Sequence, residues 1–168
     1  MNPKAQVLLA AIALRPGARV FVEIGCTRKA AETADDGFST IHLAQEAKAR
    51  HGLLHSVEFN PHNIRAARVA ATTRDLSNSV RFHEEHGVDW LKDFAGPINF
   101  LYLDGSDDPE TNLDEFETTE TKLSTDAIVC VDDCHAYSRR WFGKGEKVIP
   151  YTPELGQQLE TLLSSHFD

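Results

Sequence analysis

The chain has 168 residues, 41% hydrophobic and 26% charged, which is typical of a globular domain that can bury a core. Its formal net charge of −9 argues against nucleic acid as a partner, because affinity for phosphates depends on Lys and Arg. The apolar stretch at residues 7–14 is too short to span a bilayer and lacks the pattern of a signal peptide. We therefore expect one domain over 1–168, without a membrane or nucleic-acid partner.

Strand-like and helix-like segments alternate along the chain. A first amphipathic helix is predicted around residues 7–14, and a later one from 37 to about 50, with Ser39 or Thr40 as its cap. Pro61 begins the next helix, and a short helix bears Trp90. Between them, apolar runs predict strands at 19–25, 53–58, 80–83, 98–104 and 127–133.

The acidic segment 109–122 is predicted to be helical, with Leu113, Phe116 and Leu123 as its apolar stripe. A final helix is predicted from about Pro153. Strands that alternate with helices predict a Rossmann-like, doubly wound α/β fold with a mostly parallel sheet flanked by helices.

Three cysteines are present, and none forms a CxxC pair, which indicates a reduced, cytoplasmic protein. Cys130 lies in a predicted strand and is expected to pack there. Zinc binding by Cys134 and His135 is an alternative, although adjacent residues make a poor pair of ligands.

Acidic residues lie at or near the ends of four predicted strands, at Glu23, Glu58, Asp104 and Asp132. Ligands of open α/β sheets bind at the carboxyl ends of the strands, so these acids predict one polar site. The loop after Gly25 lacks the further glycines of a dinucleotide fingerprint, which disfavours a nicotinamide-dependent oxidoreductase. Glu58 is placed to accept two ribose hydroxyls, so an adenosine ligand with a small charged tail fits better.

Five segments are informative when they are taken together: VEIG at 22–25, DGFST at 36–40, VE at 57–58, EHGVDWL at 85–91 and LDGS at 103–106. In this order they resemble the class I S-adenosylmethionine-dependent methyltransferases, close to methyltransferase family 24 and related to the catechol O-methyltransferase-like branch. The resemblance implies methyl transfer from S-adenosylmethionine to a small-molecule acceptor, and a hydroxyl oxygen is the expected acceptor atom.

The resemblance also implies roles for individual residues, carried over to the matching positions of this sequence. For Glu23, a purely structural carboxylate is the alternative. The implied cofactor-binding residues are Glu23 and Gly25 at the methionine part, Gly37, Ser39 and Thr40 at its carboxylate and amine, Glu58 at the ribose, His86, Gly87 and Val88 at the adenine, and Asp104 near the sulfonium and the acceptor.

Two catalytic arrangements remain open from the sequence. In the catechol O-methyltransferase-like branch, two aspartates and an asparagine hold Mg²⁺, and here Asp104, Asp132 and Asp133 take those positions. The alternative leaves Asp132 as a strand-end cap and Asp133 in solvent. Without Mg²⁺ or another divalent cation, His135 is the candidate general base that deprotonates the acceptor.

Family members normally end in an antiparallel β-hairpin, whereas residues 152–168 here are predicted to be helical. The fold is therefore expected to lack the usual C-terminal hairpin, and a homodimer would cover the bare sheet edge. This departure keeps a second function open, a noncatalytic adenosine-binding module or an inactive methyltransferase remnant.

Overall fold

A computed structural model describes residues 3–31, 38–106 and 108–132, and its centre is a five-stranded sheet. The strands lie in the order β3-β2-β1-β4-β5, and every neighbouring pair is parallel. This confirms the predicted doubly wound α/β fold. The strands are β1 (Val20–Ile24), β2 (Leu53–Glu58), β3 (Val80–Glu84), β4 (Ile98–Leu103) and β5 (Leu123–Val131).

Helices cover both faces of this sheet. Three of them contribute to the core on one face, α1 (Pro3–Ala13), α2 (Ser39–Ala49) and α3 (Pro61–Thr72). The other face packs against α4 (Gly87–Asp93) and α5 (Pro109–Thr119). A 3₁₀ turn, Glu120–Lys122, joins α5 to β5.

Side-chain alternation along each strand builds two separate cores. Phe21 and Phe100 point into the core beneath α1 and α2, whereas Val22 and Leu101 point into the core beneath α4 and α5. Successive strand residues face opposite sides, so a strand covered on both faces must be apolar at nearly every position. This explains the continuous apolar runs in the sequence.

The start of α2 differs from the sequence prediction, which made Ser39 or Thr40 its cap. Phe38 is the N-cap residue, with a left-handed φ of 57° and no side-chain capping bond. The Ser39 and Thr40 hydroxyls instead donate to the Glu23 carboxylate, at 2.6 and 2.7 Å. The buried acid takes these hydroxyls because it would otherwise lose its solvation without any hydrogen-bond partner. By contrast, α3 begins as predicted, with Pro61 in its first turn.

The apolar stripe predicted for α5 is also wrong in part. Leu113 is only half-buried, and Leu123 begins β5 rather than continuing the helix, so β5 starts four residues before its predicted position at 127. The buried face of the helix is mostly polar and consists of Asn112, Glu115, Phe116 and Thr119.

Some predictions lie wholly or partly outside the described residues. The helix predicted from Pro153 and the absence of a C-terminal hairpin belong to this group.

Of the helices that the structure describes, none is long and apolar enough to cross a bilayer. Cys130 is half-buried and packs against the core beneath α1 and α2.

Candidate functional site

The strand order reverses between β1 and β4, and the loops that follow these two strands meet at that point. Gly25 has a φ of +84°, and a Cβ there would lie 2.4 Å from the carbonyl oxygen of Asp104. The Asp104 N–H donates to the Ile24 carbonyl at 2.8 Å, so the two loops start in register. Only glycine allows both the backbone conformation and the close approach. The site therefore lies where open α/β sheets bind their ligands.

A cleft of about 270 Å³ opens at this edge of the sheet. Five of the predicted cofactor-binding residues line it: Gly25, Glu58, His86, Gly87 and Val88. They come from the ends of β1 and β2 and from the start of α4. The remaining lining residues are Ile24, Val57, Phe59, Glu85, Gly105, Ser106, Thr111 and Glu115.

The Glu58 carboxylate is held in a fixed orientation at the end of β2. The backbone N–H of Asn60 donates to Oε1 at 2.7 Å, and the Asn63 side-chain amide donates to Oε2 at 3.1 Å. Its side chain is 8% exposed and lines the cleft. The Cys26 thiol, a weak donor, also lies 3.9 Å from Oε2. A carboxylate can accept about four hydrogen bonds, so these partners leave room for a hydroxyl group of a ligand.

Glu23 lies on β1 opposite Ser56 of β2, further from the sheet edge than Glu58, and is completely buried. Three hydroxyls donate to its carboxylate, those of Ser39 at 2.6 Å, Thr40 at 2.7 Å and Ser56 at 2.8 Å. The Thr40 oxygen also accepts from the Thr27 N–H at 2.8 Å, which ties the loop after β1 to α2. Glu23, Ser39, Thr40 and Asp104 are not among the residues that line the cleft, although Gly105 and Ser106 directly after Asp104 are. The three hydroxyl bonds to the buried Glu23 fit its structural alternative.

Burial dominates the electrostatics of this carboxylate. Desolvation, assisted by the Asp104 charge, raises the pKa of Glu23 to about 7 against the opposing effect of the three hydroxyl donors. Tyr102 lies on β4 opposite Glu23 of β1, and its side chain forms a hydrogen bond with Asp104. Burial, and then the charges of Asp104 and Glu23, raise the pKa of Tyr102, so its hydroxyl remains a proton donor. Asp104 is thereby oriented at the end of β4.

Two flat rings stand at the cleft, and the sequence analysis identified only one of them. Phe59 and His86 are stacked, with ring centroids 5.0 Å apart and an interplanar angle of 11°. Phe59 is 57% exposed, unusual for a large apolar side chain, and it directly follows Glu58. An exposed aromatic residue next to a strand-end acid is the signal that could have identified it.

Glu115 on α5 is a second lining residue that the sequence analysis missed. It is 3% exposed, and its Oε2 atom has no hydrogen-bond partner among the described residues. Burial and the neighbouring Asp114 charge raise the pKa of Glu115 to about 7. Its sequence context contains several other acids, so nothing in the sequence distinguished it.

The predicted metal ligands are only partly described. Asp104 and Asp132 follow β4 and β5, which pair through Leu103 and Val131, so the two acids occupy neighbouring positions at the sheet edge. Asp133 lies outside the described residues. Across the described ranges 3–31, 38–106 and 108–132, no group of three His, Cys, Asp or Glu side chains could hold a metal ion. His135, Cys134 and Gly37 are also outside the described residues.

A family model described as a methyltransferase domain matches residues 34–134, more than half of the chain. The chain belongs to methyltransferase family 24. This match confirms the family that the five sequence segments indicated. The family 24 domain includes the ends of β2, β3 and β4, which provide most of the cleft.

Several solved structures, among them named methyltransferases, share the fold of this family 24 domain. The SAH-bound methyltransferase PaMTH1 from Podospora anserina is 19% identical, with a TM-score of 0.69, covering 96% of this chain and 68% of that one. Cofactor-bound Rv0187 from MTB is 22% identical, with a TM-score of 0.72 and coverages of 99% and 70%. The SAM-bound O-methyltransferase TomG from Streptomyces achromogenes is 19% identical, with a TM-score of 0.71 and coverages of 97% and 68%. No curated protein matches the chain in sequence.

Proposed function

We propose that this protein is an S-adenosylmethionine-dependent methyltransferase that methylates a hydroxyl oxygen of a small molecule. Family membership supports the reaction class. The similar structures include one O-methyltransferase in complex with SAM and one putative caffeoyl-CoA O-methyltransferase, which supports oxygen as the acceptor atom.

The orientation of Glu58 carries the proposal. Its carboxylate is fixed by Asn60 and Asn63, lines the cleft and retains acceptor capacity for a ribose hydroxyl beside the weak Cys26 thiol contact. The Phe59 and His86 rings provide flat surface at the same cleft on which a nucleobase could stack. The tight glycine contact between the loops after β1 and β4 lets the ligand lie close to the backbone.

The protein's part in the reaction is to position two reactants. When bound, S-adenosylmethionine would supply an electrophilic methyl group. Asp104, oriented by the Tyr102 hydroxyl, would hold the acceptor hydroxyl in line with that methyl group and accept its proton. A closely oriented pair reacts far faster than reactants free in solution, so placement supplies most of the rate.

Ligand binding to the full chain tests the nucleoside site. We expect calorimetry to detect S-adenosylhomocysteine binding to the wild type, and the Glu58→Ala variant to weaken it roughly tenfold or more, because charge-assisted hydrogen bonds are lost. Glu84→Ala is the matched control, since Glu84 neighbours Glu58 in register but is exposed and does not line the cleft. NAD should not bind. No S-adenosylhomocysteine binding to folded protein would refute the proposal.

Methyl transfer distinguishes the enzyme from a noncatalytic binding module. We expect transfer of a labelled methyl group to at least one member of a panel of hydroxylated small molecules, and Asp104→Ala should reduce it by two or more orders of magnitude. Parallel assays with Mg²⁺ and with EDTA test metal assistance, for which the described residues provide Asp104 and Asp132. Binding without transfer to any acceptor would favour the noncatalytic alternative.

A further inference from the structure

Glu115 presents an unsatisfied carboxyl to the candidate cofactor cleft. It is almost fully buried, lines the cleft, and its Oε2 atom has no partner in the part of the chain that the structure describes. Leaving a buried polar group unpaired is costly, and such groups in native proteins are rare. A carboxyl in this state at the wall of a ligand cleft indicates a hydrogen-bond partner on the ligand.

The location of this carboxyl identifies the part of the ligand that it would meet. A Cβ added to Gly87 would lie 2.3 Å from Oε1 of Glu115 and 2.6 Å from the Ile24 side chain, so the carboxyl lies against the first residue of α4. The preceding residue, His86, stacks on Phe59 at the same cleft. Glu115 therefore lies on the side of the cleft that offers flat rings, where a nucleobase would lie.

We propose that Glu115 recognises the adenine of the bound cofactor, accepting a hydrogen bond from the N6 amino group and donating one to N1. This inference rests on the proposed function, because it takes the ligand to be an adenosyl compound. It assigns base recognition to a helix that follows β4, in addition to the residues at the ends of β2 and β3.

The protonation state of Glu115 determines how many of these bonds can form. A neutral carboxyl offers one donor and one acceptor, whereas a carboxylate only accepts. Adenine N1 is an acceptor, so the neutral acid can make two bonds to the base and the ionised acid only one. Burial and the Asp114 charge bring the pKa of Glu115 to about 7, so both forms are populated near neutrality.

The titratable groups on the elements that form this side of the cleft are mainly acidic, and among them the Asp114 charge raises the pKa of Glu115. These groups are Glu58, Glu85 and His86 at the cleft, Asp89 and Lys92 on α4, Glu110, Asp114 and Glu117 on α5, and Glu120 and Lys122 in the 3₁₀ turn. Ligand binding would favour the neutral form, so by linkage the affinity for adenosyl ligands must fall as pH rises above about 7.

Calorimetric titration with S-adenosylhomocysteine at pH 6 and pH 8.5 tests the inference on the full chain. We expect wild-type affinity to fall about tenfold or more between these values. Glu115→Gln should bind within about threefold of the wild type at pH 6 and show no fall, because its amide keeps one donor and one acceptor at every pH. Glu117→Gln, at an exposed position on the same helix, should retain the wild-type pH profile.

A second comparison shows whether the contact is to the base. We expect the wild type at pH 6 to prefer adenosine over 1-deazaadenosine, which lacks N1, and Glu115→Leu to lose that preference. A Glu115→Gln variant that keeps the pH-dependent fall, or a Glu115→Leu variant that keeps the preference, would overturn the inference alone. A folded wild type that binds no adenosyl ligand would overturn the proposed function, and this inference with it.

Discussion

A carboxylate without solvent contact is an unusual residue for a β-strand, and Glu23, the last but one residue of β1, is such a carboxylate. Its ionised form gains three hydroxyl hydrogen bonds, yet desolvation outweighs them and raises its pKa to about 7. The folded protein therefore keeps this proton up to about pH 7, whereas the unfolded chain loses it near 4.5. Between those values the folded state binds more protons, so a rise in pH destabilises it.

The first prediction concerns this pH dependence. The free energy of unfolding should fall by up to about 3 kcal/mol between pH 4.5 and 7 on account of Glu23, at about 1.4 kcal/mol per pKa unit. Glu23→Gln should remove that part of the fall, and urea denaturation at a series of pH values measures it. An identical pH profile in both proteins would mean that Glu23 titrates normally. Glu115, whose pKa is raised in the same direction, contributes separately.

Gly25 provides the second prediction at the residue scale. Glu23 is followed two residues later by this glycine, whose positive φ and 2.4 Å approach to the Asp104 carbonyl leave no place for a Cβ. Gly25→Ala should destabilise the protein by about 2 kcal/mol or more, measured by denaturation. Gly17→Ala is the control, because a Cβ at that position would contact only the Arg15 side chain at 3.7 Å. Equal stability of the two variants would contradict this explanation of Gly25.

At the scale of elements, α5 shows how a helix can face a sheet with few apolar side chains. Phe116 is 2% exposed and packs with the β-sheet residues Leu101 and Leu103, whereas Asn112, Glu115 and Thr119 complete the buried face. Thr119 satisfies its hydroxyl within the helix by donating to the Phe116 carbonyl at 2.7 Å. The apolar contribution of α5 to the core therefore depends mainly on one aromatic residue.

The third prediction follows from this packing. Phe116→Ala should cost about 3–5 kcal/mol in unfolding free energy, because it leaves a large cavity in the core beneath α4 and α5. Leu113→Ala on the same helix should cost much less, since Leu113 is half-buried. Chemical denaturation of both variants measures the difference, and similar costs would restore the stripe that the sequence predicted.

At the scale of the whole molecule, one sheet separates two cores. The core beneath α1 and α2 and the core beneath α4 and α5 are built on the same strands, since β1, β2 and β4 contribute side chains to both. Loss of packing on one face of these strands would therefore weaken the other core as well. A fourth prediction follows: calorimetric unfolding of the chain should show a single cooperative transition, with the calorimetric and van't Hoff enthalpies in agreement. Two separable transitions would contradict the predicted single domain. The homodimer and the cytoplasmic location stay predictions.

Local patterns in the sequence were sufficient for the fold class and for much of the cleft. Buried parallel strands require continuous apolar runs, and acids at or directly after the strand ends, such as Glu58 and Asp104, lie at one edge of the sheet whatever the details of packing. Gly25, His86, Gly87 and Val88 were identified because their motifs occur in order along the chain, and they line the cleft as a group.

Other features depended on contacts between residues far apart in the chain, which no local pattern encodes. Ser39 and Thr40 are good helix caps locally, but the buried Glu23 carboxylate, 16 and 17 residues away, takes their hydroxyls. In the sequence, Glu115 cannot be told apart from the other acids of its helix. It is buried beside Gly87 only because α5 packs against α4. The sequence by itself therefore determined the order in which strands and helices follow one another along the chain, and the edge of the sheet where the candidate ligand site lies. Only the tertiary structure decided which carboxylates are buried, paired or left facing the cleft, because burial is set by what packs against a residue from elsewhere in the chain.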